Sequence, residues 1–74
     1  MSRQFSAQRL RHARTAAGFT PETLAIHIGR SVFTVHGYER GKASPSALVL
    51  GRIADVLGCA VDDLFEQAVN NYAA

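Results

Sequence analysis

The chain has 74 residues, enough for one domain and near the lower limit at which a core folds without staples. Hydrophobic residues make up 47% of it, which argues against disorder, and no uncharged stretch approaches the roughly 18 apolar residues of a membrane span. The net charge of +2 is unevenly spread: residues 1–42 hold seven basic and two acidic side chains, leaving +5, whereas residues 43–74 set Arg52 against Asp55, Asp62, Asp63 and Glu66, leaving −3.

Such a polarised chain can turn its basic end to a polyanion and keep the acidic end away, although solvated helix faces produce the same split. Cys59 is alone, so an internal disulfide and a zinc knuckle are excluded. No signal-peptide h-region precedes Arg9, Arg11 and Arg14, and the expected location is a reducing cytoplasm.

Five short helices are predicted between an N-terminal arm, residues 1–5, and a frayed tail, residues 70–74. The first spans about 7–17, with Ser6 as N-cap, Phe5 and Leu10 at staple spacing, and Gly18 as a left-handed stop. The second spans about 21–28. Thr20 caps it, Pro21 takes the first position where a missing N–H is harmless, and Glu22 faces the positive dipole end. Leu24, Ala25 and Ile28 form its apolar stripe and Gly29 ends it. The third helix, about 32–40, starts after Ser31 and stops at Gly41.

Ser44-Pro45-Ser46 announces the fourth helix, about 47–57, with Ala47, Leu50, Ile53, Ala54 and Leu57 at three-to-four spacing before Gly58. A fifth helix, about 61–69, carries Asp62 and Asp63 in its first turn and would bury Leu64, Phe65 and Ala68. No run shows a period of two, so no sheet is expected. The fold class is all-α, a single domain over residues 1–74.

Residues 20–45 carry the functional signal. Two short helices joined by a three-residue turn containing Gly29 make a helix-turn-helix. Ala25 must be small where the next helix crosses it, and Gly29 adopts a conformation that a Cβ opposes. Val35 and Tyr38 point back to the neighbouring helices, while Val32, Phe33, His36, Gly37 and Arg40 project outward.

The sequence resembles the lambda-repressor/Cro class of helix-turn-helix regulators, the XRE family. The matching residues are Leu10 and Arg14, then Gly18-Phe19-Thr20, Glu22, Leu24-Ala25, Gly29, Ser31 and Val35. They continue through Tyr38-Glu39-Arg40-Gly41-Lys42 and Pro45 to Ile53-Ala54 and Leu57-Gly58, so the resemblance covers about residues 6–66. It implies a compact five-helix lambda-repressor-like domain that inserts residues 32–40 into the major groove of double-stranded DNA. Arg14 and Glu39 match a structural ion pair of that class. Thr20, Arg40, Lys42 and Ser44 match phosphate-contacting positions, with Arg3, Arg11 and Arg30 as weaker candidates. Val32, Phe33, His36 and Gly37 match base-contacting positions.

Two departures stand out. Pro21 replaces a glutamine common in that class, removing a side-chain and a backbone donor to phosphate. The reading face holds no Arg, Asn or Gln between residues 31 and 39, the residues that make bidentate base contacts. Val32 and Phe33 can pack on thymine methyls and His36 can reach guanine or phosphate; a protein contact and ordinary packing are the alternatives to DNA contact for Phe33.

No catalytic constellation is present. His12, His27 and His36 lack metal-ligand spacing, and neither metal nor cofactor is expected. The expected function is a sequence-specific DNA-binding transcriptional regulator, a repressor, acting as a homodimer on palindromic sites. Residues 61–69 with Val56, Cys59, Val61 and Phe65 form either its dimer surface or ordinary core. The alternative function is a protein-interaction module on the same fold, an antitoxin or adaptor with a protein partner. No membrane association is expected.

Overall fold

The structure, a computed structural model, describes residues 4–66. In chain order these form strand β1 (Gln4–Phe5), helices α1 (Ala7–Ala16), α2 (Pro21–Ile28), α3 (Val32–Glu39) and α4 (Ala47–Leu57), a 3-10 turn (Val61–Leu64) and strand β2 (Phe65–Glu66). No helix among the described residues is long and apolar enough to cross a membrane.

Each α-helix begins at a hydroxyl cap. Ser6, Thr20, Ser31 and Ser46 sit in extended backbone and accept hydrogen bonds from the amides of Arg9, Thr23, Thr34 and Val49. Each cap satisfies an amide that the helix itself leaves free and contributes about 1 kcal/mol. Each helix also ends within two residues of an expected glycine, and the turn between α2 and α3 shows how. Gly29 adopts φ +70°, which an L side chain resists, and so lets the Arg30 amide donate to Ala25 O at 3.0 Å and its own amide to Ile26 O at 3.3 Å. Ser31 caps the next helix two residues later, its hydroxyl accepting from the Thr34 amide at 3.1 Å.

α2 packs against both α3 and α4, α1 packs against α3, and the 3-10 turn closes the space between α1 and α4. The core between them is made by Leu10, Leu24, Ala25, Ile28, Val35, Tyr38, Val49, Leu50, Ile53, Ala54 and Leu64. Ala25 is buried where α3 crosses α2, as its size required. The buried stripe of the fourth helix differs from the expected one in part: Val49 is buried, whereas Ala47 is exposed.

The expected fifth helix does not form over the described part of its span. Residues 61–64 make one 3-10 turn, and Phe65–Glu66 run extended; residues 67–69, with Ala68, and the tail, residues 70–74, lie outside the described residues. Ala60 has no side-chain acceptor for an N-cap, and Asp63 turns back to accept the Ala60 amide at 3.0 Å. The following backbone is drawn into a ladder instead. β2 pairs antiparallel with β1, Phe5 opposite Phe65 and Gln4 opposite Glu66, and the Ser6 amide donates to Leu64 O at 2.9 Å.

That two-stranded sheet also corrects the expectation of no sheet. Two residues per strand are too few to display an alternating pattern, and the pairing spans nearly the whole chain. Part of the expected N-terminal arm is thereby built into the fold. Phe5 is half-buried, its ring edge-on to Tyr38 with centroids 6.5 Å apart.

Candidate nucleic-acid interface

The interface is built on α2, the Gly29 turn and α3. Three anchors fix the orientation of α3. Val35 and Tyr38 are buried against the core on its inner face. At its C-terminal end, Glu39 is buried and accepts two hydrogen bonds from Arg14 on α1, from Nε to Oε2 at 2.5 Å and from Nη2 to Oε1 at 3.1 Å. Arg14 also donates from Nη1 to Phe19 O at 2.7 Å, and Arg11 Nη1 reaches Glu39 O at 3.4 Å. All three nitrogens of the Arg14 guanidinium are therefore engaged by protein acceptors, and a two-pronged guanidinium–carboxylate contact fixes direction as well as distance.

The outward face is a different surface. Phe33 is 83% exposed, and His36 and Gly37 are half-buried. Together with Thr34, Arg40 and Lys42, and with Ala43 beyond them, these residues line one groove of about 460 Å³. The structure thus gathers Phe33, His36 and Gly37 of the expected reading face with Arg40 and Lys42 of the expected phosphate set. Val32, Thr20 and Ser44 stand outside the groove. Val32 is half-buried and packs on the core, so it projects less than the sequence suggested.

Thr20 and Ser44 are exposed at the ends of the motif. The Thr20 hydroxyl accepts from the Thr23 amide at 3.0 Å and shares a hydrogen with the Thr23 hydroxyl at 2.8 Å. Arg40 ends α3 as its C-cap and Lys42 follows Gly41; both are exposed, and neither side chain has a partner among the described residues. Two solvated cations beside an apolar groove are available to an external anion. Arg30 is exposed with Nη1 on Gly29 O at 3.1 Å, and Arg3 lies outside the described residues.

Sequence reasoning missed four residues on and around this surface. Thr34 lines the groove while its hydroxyl bonds the Ser31 hydroxyl at 3.0 Å; its place one helical turn before Gly37 was readable from spacing. Arg52, counted with the acidic half of the chain, extends from α4 to the helix-turn-helix, with Nη1 3.4 Å from Ile28 O. Ile26 and Leu48 are exposed apolar side chains, 78% and 64% accessible, that the apolar stripes did not mark.

On another part of the surface, Arg9, His12, Cys59, Asp63 and Glu66 border a second depression of about 510 Å³. Burial and, secondarily, the Asp63 carboxylate push the Cys59 thiol above its usual pKa, which disfavours the nucleophilic thiolate. Cys59 is half-buried and packs on the core with Val56 and Phe65, while Val61 is 39% exposed.

Comparison with known proteins fits this geometry. A family model described as a helix-turn-helix domain matches residues 7–67. The chain is 36% identical over 64 residues to YazB of Bacillus subtilis (strain 168), an uncharacterized HTH-type transcriptional regulator, covering 86% of this chain and 93% of that one. The restriction-modification controller protein C.AhdI of Aeromonas hydrophila superposes with a TM-score of 0.75 at 39% identity, over 80% of this chain and 89% of the controller. The DNA-binding domain of the P22 c2 repressor gives 0.77 at 25% identity, over 86% and 84%. The same fold also forms part of hydroxypropylphosphonic acid epoxidase from S. wedmorenis, at a TM-score of 0.80 and 32% identity, over 88% of this chain but 35% of the enzyme. The capped helix pair, the Gly29 turn and the anchored third helix are those of the helix-turn-helix transcriptional regulators of the lambda-repressor/Cro type, and the chain belongs to that family.

Proposed function

We propose that this chain is a sequence-specific repressor that binds double-stranded DNA by setting the outer face of α3 into the major groove. The observation that carries the reading is the pairing of an exposed, anchored helix face with the unpartnered cations Arg40 and Lys42 in the same groove. On this reading Thr20, Arg40, Lys42 and Ser44 contact phosphates, and Val32, Phe33, His36 and Gly37 meet the base edges. Hydroxyls and cations are the chemistry by which such proteins fix their register on a duplex. Similarity to a controller protein and to a repressor's DNA-binding domain supports the regulatory role.

The chain acts in the cytoplasm as a homodimer, at least on DNA, because one short helix reads only a few base pairs and two-fold symmetry doubles the site. The proposed dimer surface is the face around Val61, which is exposed, next to Val56, Cys59 and Phe65, which are half-buried and also pack on the core. No enzymatic activity is proposed: the groove beside α3 offers one imidazole and two cations with no carboxylate or thiol among its lining residues.

The test is DNA affinity as a function of salt. A duplex obtained by selection from a random pool should bind with a steep salt dependence. Arg40→Ala with Lys42→Ala should reduce the log–log salt slope by about 0.9 for each phosphate that is no longer neutralised. An unchanged affinity and slope in the double variant would remove both residues from the phosphate set.

A second reading rests on Phe33. A side chain of that size, 83% exposed beside a groove, is also what a protein-interaction module, an antitoxin or an adaptor, presents to its partner. Weak DNA binding without sequence preference would favour it.

A further inference from the structure

The two ends of α3 are held differently. The C-terminal end is fixed by the buried Arg14–Glu39 pair and by Tyr38. The N-terminal end follows directly on the Gly29 turn, with Val32 half-buried against the core. The backbone bonds of that turn, from the Arg30 amide to Ala25 O and from the Gly29 amide to Ile26 O, run back into α2. They shape the turn without fixing it to the rest of the domain.

Two guanidiniums lie on the turn. Arg30 Nη1 donates to Gly29 O at 3.1 Å, a contact with the neighbouring residue that joins no two elements. Arg52 comes instead from the middle of α4, 24 residues from its acceptor. Its Nη1 donates to Ile28 O, the last carbonyl of α2, at 3.4 Å, and lies 3.8 Å from where a Cβ on Gly29 would stand. The last carbonyls of a helix have no partner within it and form the negative end of its dipole, so a cation is the side chain suited to bridge them to another helix. Arg52 is exposed and the bond is long, so water competes for it and its contribution is more to direction than to stability.

We propose that Arg52 is a positioning residue of the DNA interface: by bridging α4 to the end of α2, it sets the angle at which α3 leaves the Gly29 turn. The proposal rests on the DNA-binding reading above and adds to it a residue from outside the helix-turn-helix. Arg14 holds one end of α3 and Arg52 the other. Arg52 acts through the turn and makes no contact with phosphate.

The experiment compares the full 74-residue chain with Arg52→Met, which keeps an apolar stem and removes the donors, and with Arg52→Lys, which returns a cationic donor. Each is titrated across a salt series with the duplex that the parent enriches from a random pool, and with a scrambled duplex of equal length. Arg52→Met should bind the enriched duplex about fivefold more weakly, the scale of one net hydrogen bond. Its affinity for the scrambled duplex and its log–log salt slope should match the parent's. Arg52→Lys should show the same pattern in smaller measure, and amide exchange at Gly29 and Arg30 should be faster in Arg52→Met than in the parent. Because Arg52 is exposed, circular dichroism should show both variants folded at the binding temperature. A slope lower by about 0.9, with both duplexes weakened, would make Arg52 a phosphate contact and overturn the proposal. A lower Tm with unchanged affinity for the enriched duplex would make its role purely structural and overturn it as well. In both cases the DNA-binding reading stands. If the parent enriches no duplex, that reading falls and the proposal with it.

Discussion

Arg14 and Glu39, 25 residues apart in sequence, form a buried two-point ion pair that ties α1 to the C-terminal end of α3. The pair sits at the end of the groove-bearing helix, and each partner is surrounded by the fold. Coulomb attraction there is offset by the cost of taking both charges out of water, so its main effect is to set the direction of α3. Breaking it from one side is another matter. Arg14→Ala or Glu39→Ala should each destabilise the domain by about 3–5 kcal/mol, because each leaves an uncompensated buried group. Replacing both, as Arg14→Met with Glu39→Leu, should destabilise by less than either single change in urea unfolding. A double variant weaker than both singles would contradict this account.

Two glycines of the same motif should respond oppositely to alanine. Gly29 is left-handed at φ +70°, and an added Cβ would meet only Arg52 Nη1 at 3.8 Å. Gly29→Ala should therefore lose about 1–2 kcal/mol from backbone conformation alone. Gly37 is helical with open space beside it, and Gly37→Ala should gain about 0.5–1 kcal/mol. In a domain of this size each kcal/mol moves Tm by about 4–8 °C, so a thermal melt reads both signs.

The strand pair should matter more than its length suggests. Phe5 packs on the core and edge-on to Tyr38, and the Ser6 amide is held by Leu64 O. Phe5→Ala should destabilise by about 2 kcal/mol, below the value for a fully buried ring. Hydrogen exchange at the Ser6 amide should accelerate in the variant more than exchange in α2 or α3. Equal acceleration everywhere would mean that the clip opens only with global unfolding.

Cys59 should be a slow thiol. Burial and the Asp63 carboxylate both raise its pKa, so at pH 8 less thiolate is present than in the unfolded chain. Alkylation by iodoacetamide should be slower for the folded protein than in denaturant, and Asp63→Asn should speed it partly. The linked effect on stability has a fixed sign. A thiol pKa raised by folding adds stability below the unfolded value of about 8.5, and that increment is lost as pH rises through the folded value.

Much of the architecture is legible in the sequence because it depends on local chemistry. Ser6, Thr20, Ser31 and Ser46 begin helices and Gly18, Gly29, Gly41 and Gly58 follow them. In each case the deciding hydrogen bonds lie within a few residues of the cap. The residues after Gly58 depart from expectation for the complementary reason. Asp62, Asp63, Leu64 and Phe65 suit a helix locally, but the backbone of Leu64–Glu66 finds its partners in Gln4–Ser6, about sixty positions away. The helix periodicity of Leu64 and Phe65 carries no trace of that competition.

The groove shows the same division within one helix. Spacing alone puts Val35 and Tyr38 inward and Phe33, His36 and Gly37 outward, since 3.6 residues per turn fixes opposite faces. Spacing does not separate Val32, half-buried on the core, from Phe33, left 83% exposed. Nor does it bring Arg52 to the Gly29 turn. The helix starts and stops, and the family they identify, follow from residues near one another in the chain, because caps and left-handed glycines act over one turn. The pairing of residues 65–66 with the N-terminal segment, and the meeting of Phe33, Gly37, Arg40 and Lys42 in one groove, come instead from packing between distant parts of the chain. Those outcomes depend on which surfaces exclude water from one another, and burial is a property of the packed chain.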